Sequence, residues 1–193
     1  MSTQEQSVDL VDAATALALA RVALFAALAG AFAFVSFEYP LSPAPVTLQV
    51  LAVFLAGLFL GPVWGSVSMA VYLVAGAVGL PVFAGATAGV GVLFGPTGGY
   101  LLSYPLAAGV IGHLAHGGPS LRSLDDVGLP RLVGSLVAGV VVIYTVGTLG
   151  LVYFGGLGLE AAIVGGTLVF LPAEALKLVA AVGIARSDDV ALD

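Results

Sequence analysis

The chain has 193 residues, of which 60% are hydrophobic and only 8% are charged, and its formal net charge is −6. A soluble domain carries about 25% charged residues, so this composition excludes a water-soluble globule and predicts a single membrane domain over residues 1–193. The chain lacks the basic patch that a nucleic-acid partner requires, and the absence of cysteine excludes disulfides, thiol nucleophiles and cysteine-ligated metals.

The apolar stretches are long, do not alternate with polar residues, and are rich in Leu, Ala, Val and Gly. This pattern is typical of membrane-spanning helices and differs from the short alternating segments of a transmembrane barrel. We therefore predict an all-α integral membrane protein, a bundle of six transmembrane helices with long outward loops after the first and third helices. The predicted helices cover residues 14–36, 46–60, 64–79, 99–115, 131–153 and 172–186.

The loop after the first helix reads "FEYPLSPAPVT", and its prolines Pro40, Pro43 and Pro45 exclude a helix there. The segment "GPVWG" predicts a tight turn between the second and third helices.

A glycine-rich stretch over residues 79–99, "GLPVFAGATAGVGVLFGPTGG", follows the third helix. Its glycines let the backbone fold tightly and approach a ligand closely, while its apolar side chains favour burial. We interpret the stretch as a lid over an outward cavity, with Phe83 among its apolar residues. The polar points of this cavity would be Gln49, Thr87, Thr97 and Tyr100. The alternative is a loop that only plugs the bundle.

The last apolar region could form one helix from Glu160 to Arg186, but Pro172 argues against it, because an interior proline removes a hydrogen bond and clashes with the preceding turn. Proline suits the first turn of a helix. We therefore predict a short interfacial segment over residues 158–168 and a sixth helix that begins near Pro172. Glu174 and Lys177 then share one side of its first two turns.

Lys177 is the only lysine in the chain, and apolar residues surround both it and Glu174. A charged side chain within a membrane costs about 2.5–3.5 kcal/mol on insertion scales, so intramembrane charges are functional candidates. The pair predicts a site for a small anionic ligand that enters from outside. The alternative is an ion pair that serves structure alone.

With six spans, both termini and the loop between the fourth and fifth helices lie on one side. The arginines fall on or next to that side: Arg21, Arg122, Arg131 and Arg186. The positive-inside rule makes it cytoplasmic. Most acidic residues are there too: Glu5, Asp9, Asp12, Asp125, Asp126, Asp188, Asp189 and Asp193. They indicate either ordinary solvated ends or the acidic cytosolic face of a halophile's protein.

Two further motifs are poor candidates for a metal site, a catalytic site or a phosphate-binding loop. His113 and His116 lie near the cytosolic end of the fourth helix with no acid or cysteine nearby, and a helix C-terminus favours histidine in any case. "GPTGGY" lacks the lysine of a phosphate loop, since Tyr100 stands in its place. We predict no metal, no cofactor and no catalytic residue. A membrane enzyme that uses both histidines is the alternative.

Four segments carry a family resemblance: "ALFAAL", "PAPVTLQVLAVFLAGLFLGPVWGSVSMAVYLVAGAVGLPVFAG", "GPTGGYLLSYPLAAGVIG" and "FLPAEALK". With them the chain resembles BioY, the biotin-specific substrate-binding (S) subunits of energy-coupling-factor (ECF) transporters. The resemblance implies high-affinity biotin binding beneath the first and third loops, in the bilayer of a prokaryotic cell membrane. It also implies uptake together with a transmembrane coupling subunit and two cytosolic ATPases. An S subunit for another vitamin and a solitary biotin facilitator are the alternatives.

The resemblance also implies residue roles. The family motif at the sixth helix is proline, glycine, aspartate, two residues and lysine, and this chain has Pro172, Ala173, Glu174 and then Lys177. Lys177 would pair with the biotin carboxylate or fix Glu174, and Glu174 would accept ureido N–H groups. Small residues four apart in the first helix would dock on the coupling subunit. Ala23 and Ala27 fit that spacing, and other registers use Ala18, Ala20, Ala26 or Gly30.

Overall fold

The computed structural model describes residues 12–38, 42 and 44–187. Several residues used above lie outside this part: Glu5, Asp9, Pro40, Pro43, Asp188, Asp189 and Asp193.

The described chain is mostly helical. The helices are α1 (Ala13–Ala33), α2 (Gln49–Ala77), α3 (Val90–Leu93), α4 (Gly98–His116), α5 (Leu129–Tyr153), α6 (Leu159–Gly166) and α7 (Leu171–Ala185). Three single 3₁₀ turns cover Ala84–Ala86, Leu124–Asp126 and Leu168–Phe170. Within the described residues, four helical stretches are long and apolar enough to cross a membrane: Ala13–Ala33, Gln49–Ala77, Leu129–Tyr153 and Leu159–Ala185.

The loop between α1 and α2 contains a small antiparallel hairpin of β1 (Ser36–Phe37) and β2 (Val46–Thr47). The predicted start of the second helix at residue 46 is therefore wrong, because Val46 and Thr47 are extended and the helix begins at Gln49. Both residues are β-branched and follow Pro45, a sequence that suits a strand better than the first turn of a helix.

Helix α2 contains a sharp break at Gly61, whose φ of 73° is accessible to glycine at little cost. A Cβ atom at Gly65 would lie 2.8 Å from the carbonyl oxygen of Ala56, nine residues earlier. Nine residues of a straight helix span about 13.5 Å. The chain therefore folds back at Gly61, within the predicted "GPVWG" turn, and Pro62 opens the second half of the helix.

Glycines set the close packing of α4 against its two neighbours. A Cβ atom at Gly57 of α2 would lie 2.8 Å from the Ala108 carbonyl oxygen of α4. On the other side, a Cβ at Gly150 of α5 would lie 2.7 Å from the Gly99 Cα of α4. Small residues allow helix backbones to approach this closely in membrane bundles. Helix α1 packs on α2, where the Ser68 hydroxyl donates to the Val22 carbonyl oxygen at 2.9 Å.

The region before α7 agrees with the prediction of a short segment followed by a helix that begins near Pro172. The short helix α6 ends at Gly166, a 3₁₀ turn follows, and Pro172 lies in the first turn of α7, where its missing N–H breaks no helical bond. Glu174 and Lys177 consequently lie in the first two turns of α7, and both are buried, with 3% and 5% exposure.

Arginine and histidine side chains tie together the opposite end of the bundle. The Arg186 guanidinium donates to the carbonyl oxygens of Leu124 and Asp125, at 2.7 and 3.3 Å, and to that of Val127. The His116 ring contacts the Leu58 carbonyl oxygen through Nε2 at 2.8 Å and accepts the Arg122 N–H at Nδ1. Both ring nitrogens thus bind backbone, and no group of three or more potential metal ligands occurs within the described residues.

The contact between Gly99 and Gly150 makes a prediction about stability. Replacement Gly150→Ala should lower stability by about 1–3 kcal/mol, since the added methyl group overlaps the α4 backbone. In the same helix, a Cβ atom added at Gly134 would meet no neighbouring atom within 4 Å, so Gly134→Ala should leave stability unchanged or raise it by up to about 1 kcal/mol. Thermal unfolding of both variants in detergent checks this, and equal melting temperatures would contradict the packing argument.

Candidate functional site

A cavity lies at the end of the bundle where α2, α4 and α7 begin, beneath the loop after α1 and the glycine-rich stretch. It encloses about 590 Å³ of empty space, including the open space at its mouth. The lining residues come from seven parts of the chain: Ala44, Pro45, Thr47, Gln49, Val50, Phe83, Ala84, Thr87, Val92, Thr97, Tyr100, Leu101, Tyr104, Tyr144, Phe170, Glu174 and Lys177.

All seven residues that the sequence analysis assigned to a ligand site line this one cavity: Gln49, Phe83, Thr87, Thr97, Tyr100, Glu174 and Lys177. The glycine-rich stretch and the first turns of α7 are far apart in sequence, and the fold brings both to the same cavity. The predicted docking residues Ala23 and Ala27 are elsewhere, on an exposed side of α1.

The buried carboxylate of Glu174 is bonded unequally. Its Oε1 atom accepts hydrogen bonds from Lys177 Nζ at 2.6 Å and from the Tyr144 hydroxyl at 2.8 Å. Its Oε2 atom is buried and has no hydrogen-bond partner among the described residues. Leaving a buried acceptor unpaired costs about 1–3 kcal/mol, and more for a charged group. The cavity wall therefore contains one strong acceptor that lacks a donor.

Gln49 is fixed by a chain of hydrogen bonds that runs from the loop after α1 to the glycine-rich stretch. The Thr47 hydroxyl donates to Gln49 Oε1 at 2.9 Å, Gln49 Nε2 donates to the Tyr72 hydroxyl, and that hydroxyl donates to the Val82 carbonyl oxygen at 3.1 Å. The start of α2 is thereby joined to the glycine-rich stretch through the second half of α2. Thr87 instead bonds locally, donating to the Ala84 carbonyl oxygen.

The glycine-rich stretch is ordered around Phe83. The Phe83 ring is 1% exposed, packs edge-to-face on Tyr72 at 5.6 Å, and lies so close to Gly76 that a Cβ atom there would overlap it. Two short helical turns, Ala84–Ala86 and α3, lie within the segment that we predicted to be a long loop. The Gly89 N–H also donates to the Gly76 carbonyl oxygen at 2.7 Å, which fastens the stretch to the end of α2.

Aromatic rings form much of the remaining wall. Tyr144 packs between Tyr100 at 5.8 Å and Phe170 at 5.9 Å, measured between ring centroids. Tyr104 stacks on Tyr72 at 6.4 Å. The Tyr100 hydroxyl donates to the Gly166 carbonyl oxygen, whereas the donors to Glu174 are Tyr144 and Lys177.

Three aromatic residues that were not predicted also line the cavity: Tyr104, Tyr144 and Phe170. Tyr104 could have been found, because it follows Tyr100 by four residues on one helix and such residues share a face. Tyr144 lies in the middle of a mostly apolar helix, and only the packing of α5 against α7 reveals its contact with Glu174.

A cavity lined by aromatic residues and a buried ion pair, set in an apolar helical bundle, is typical of a membrane-embedded small-molecule binding protein. Comparison with known proteins narrows this class. The sequence profile of the BioY family matches residues 3–192, and the chain belongs to that family. This match confirms the family resemblance inferred from the motifs. It also confirms that the chain is a transport protein rather than an enzyme.

Individual relatives are similar over most of their length. The chain is 39% identical over 165 residues to the probable biotin transporter BioY of Pyrococcus horikoshii, covering 86% of this chain and 91% of that one. It is 40% identical over 167 residues to the biotin transporter BioY of Thermotoga maritima, covering 86% and 92%. A crystal structure of the S-component for biotin from an ECF-type ABC transporter matches with a TM-score of 0.79 and 25% identity, covering 92% of this chain and 93% of that one.

Proposed function

We propose that this protein is the biotin-binding S subunit of an ECF-type transporter and mediates biotin uptake. The relatives and the similar solved structure support biotin as the substrate. Within this chain, the observation that carries the proposal is the buried Glu174 Oε2 atom, which faces no donor among the described residues. A ligand with an N–H group suits that atom, and the ureido ring of biotin provides one.

The rest of the molecule suits the rest of the cavity. The sulfur ring of biotin is apolar and matches the aromatic wall of Phe83, Tyr100 and Phe170. Gln49, Thr87 and Thr97 supply polar points around it. Lys177 fixes Glu174 through one of its three N–H groups, and a second N–H is available to the carboxylate or another acceptor of the ligand.

The proposed partners are a transmembrane coupling subunit and two cytosolic ATPases. The exposure of α1 supports Ala23 and Ala27 as the docking register, because both side chains are exposed. Ala26 and Gly30 are buried, and Gly30 packs against Val82, so these alternative positions serve the bundle itself.

The proposed topology has six spans with both termini in the cytoplasm. The break at Gly61 divides α2 into two spans, and α1, α4, α5 and α7 supply the other four. Arg131 donates to the Leu114 carbonyl oxygen and Arg186 binds the loop after α4, which gathers these cations at the end opposite the cavity. The positive-inside rule then supports a cavity that faces outward.

Replacement Lys177→Met should weaken biotin binding by at least thirtyfold, which corresponds to the lower part of the range of about 2–5 kcal/mol for truncating one partner of a buried charged pair. Glu174→Asp restores the more usual family residue and should retain binding, whereas Glu174→Gln should lose less than Glu174→Ala. Titration of biotin into purified variants measures these losses.

The matched control is Leu176→Met, which introduces the same residue one position earlier on an exposed side of α7. A folded Lys177→Met variant that binds within twofold of wild type would refute the proposed role of the lysine. A wild-type protein that binds another vitamin and not biotin would favour the alternative function, an S subunit for that other vitamin.

Docking is tested by Ala23→Trp and Ala27→Trp. Each bulky ring should block close approach of a partner helix, so uptake into cells should fall while biotin binding by the isolated protein survives. Leu24→Trp, at a neighbouring exposed position, is the control and should retain uptake. Loss of binding as well as uptake would mean that the two alanines serve only the packing of the bundle. In a separate measurement, uptake by the wild-type protein without any copurifying ATPase would favour a solitary facilitator.

The absence of cysteine allows single cysteines to test the topology. A cysteine at Ser42 or Thr87, in the segments above the cavity, should react with a membrane-impermeant thiol reagent from outside intact cells in the absence of ligand. A cysteine at Ser120, in the loop after α4, should react only from the cytosolic side. The reverse pattern would overturn the orientation.

A further inference from the structure

The two donors on Glu174 Oε1 come from different helices. Lys177 lies three residues away on α7 itself and therefore moves with Glu174. Tyr144 belongs to α5, so its hydroxyl ties the carboxylate to the body of the bundle. Within the described residues, no other side chain hydrogen-bonds to this carboxylate.

The Tyr144 ring is held in place independently of that hydrogen bond. It is 6% exposed and packs edge-to-face on Tyr100, with an interplanar angle of 76°, and against Phe170 with an angle of 41°. A buried ring clamped between two others has little rotational freedom, so its hydroxyl occupies a set point. Lys177, by contrast, reaches Glu174 through a flexible four-carbon stem.

We propose that Tyr144 is a positioning residue for the ligand: it holds Glu174 Oε1 so that Oε2 is presented to an N–H donor in the cavity. This inference rests on the proposed function and adds a residue and a mode of selection to it. Because Oε1 already has two donors, the carboxylate presents one acceptor to the ligand rather than two. The site then favours a neutral N–H group at this position and disfavours a ligand carboxylate, which would place two acceptors together.

A double-mutant cycle tests this role, with biotin affinity measured for wild type, Tyr144→Phe, Glu174→Ala and the double variant. Tyr144→Phe keeps the ring and removes the hydroxyl, and it should weaken binding about tenfold or more in the wild-type background, as expected for a hydrogen bond to a charged group. In the Glu174→Ala background, the same change should cost less than twofold, because residues that act through one another are not additive.

Tyr100→Phe is the matched control, since it removes a hydroxyl from the same cavity that bonds Gly166 and not Glu174. Its effect on affinity should be the same in both backgrounds. Where Glu174→Ala binds too weakly to titrate, Glu174→Gln replaces it, and the Tyr144→Phe loss should then fall below threefold. If Tyr144→Phe does not fold, Tyr144→Met serves, because the loss of ring packing is common to both backgrounds and cancels.

Equal losses from Tyr144→Phe with and without Glu174 would overturn the inference, since they would assign Tyr144 a direct or purely structural role. A loss below twofold in the wild-type background would overturn it as well. Either result leaves the proposed function standing if the wild-type protein binds biotin. A wild-type protein that does not bind biotin refutes the proposed function itself, and the inference with it.

Discussion

The burial of Glu174 and Lys177 is the constraint on which the rest of this structure depends. Two charges removed from water are tolerable only when they are paired and further hydrogen-bonded. The chain meets this requirement with a proline-initiated helix that places both residues in its first two turns, and with a tyrosine from another helix that bonds the same carboxylate oxygen. One oxygen remains without a donor among the described residues, and Glu174 lines the cavity.

Close backbone contacts make that arrangement possible. The contact of Gly99 with Gly150 brings α4 against α5, and Gly147, one turn earlier on α5, leaves room for the Tyr100 ring. Tyr100 in turn packs on Tyr144 and limits the positions of its hydroxyl. Side chains larger than glycine at these points would separate the helices, and the donor on α5 would no longer reach the acceptor on α7.

Local chemistry made much of the fold and part of the cavity predictable. Pro172 marked the start of α7, Gly61 and Pro62 marked the reversal in α2, and a charge in an apolar run stood out without any structure. The roles of Tyr144 and Phe170 could not be predicted in this way. The sequence around an aromatic residue in an apolar segment is similar whether the side chain contacts lipid, the protein core or a ligand. Their role depends on the rotation of α5 relative to α7, which arises from packing between distant segments. The strand β2 at Val46 and Thr47, immediately before α2, was missed for a related reason, since its partner strand lies about ten residues earlier.

Helix α7 connects the cavity end of the molecule mechanically to the loop after α4. Glu174 stands at one end and the Arg186 fork grips three carbonyl groups at the other, twelve residues or about 18 Å away along a helix. A short straight helix behaves as a rod. If α7 moves as a rigid body, an occupant of the cavity that tilts the helix also displaces the loop after α4. A force applied to that loop is likewise transmitted along α7 to the Glu174 carboxylate.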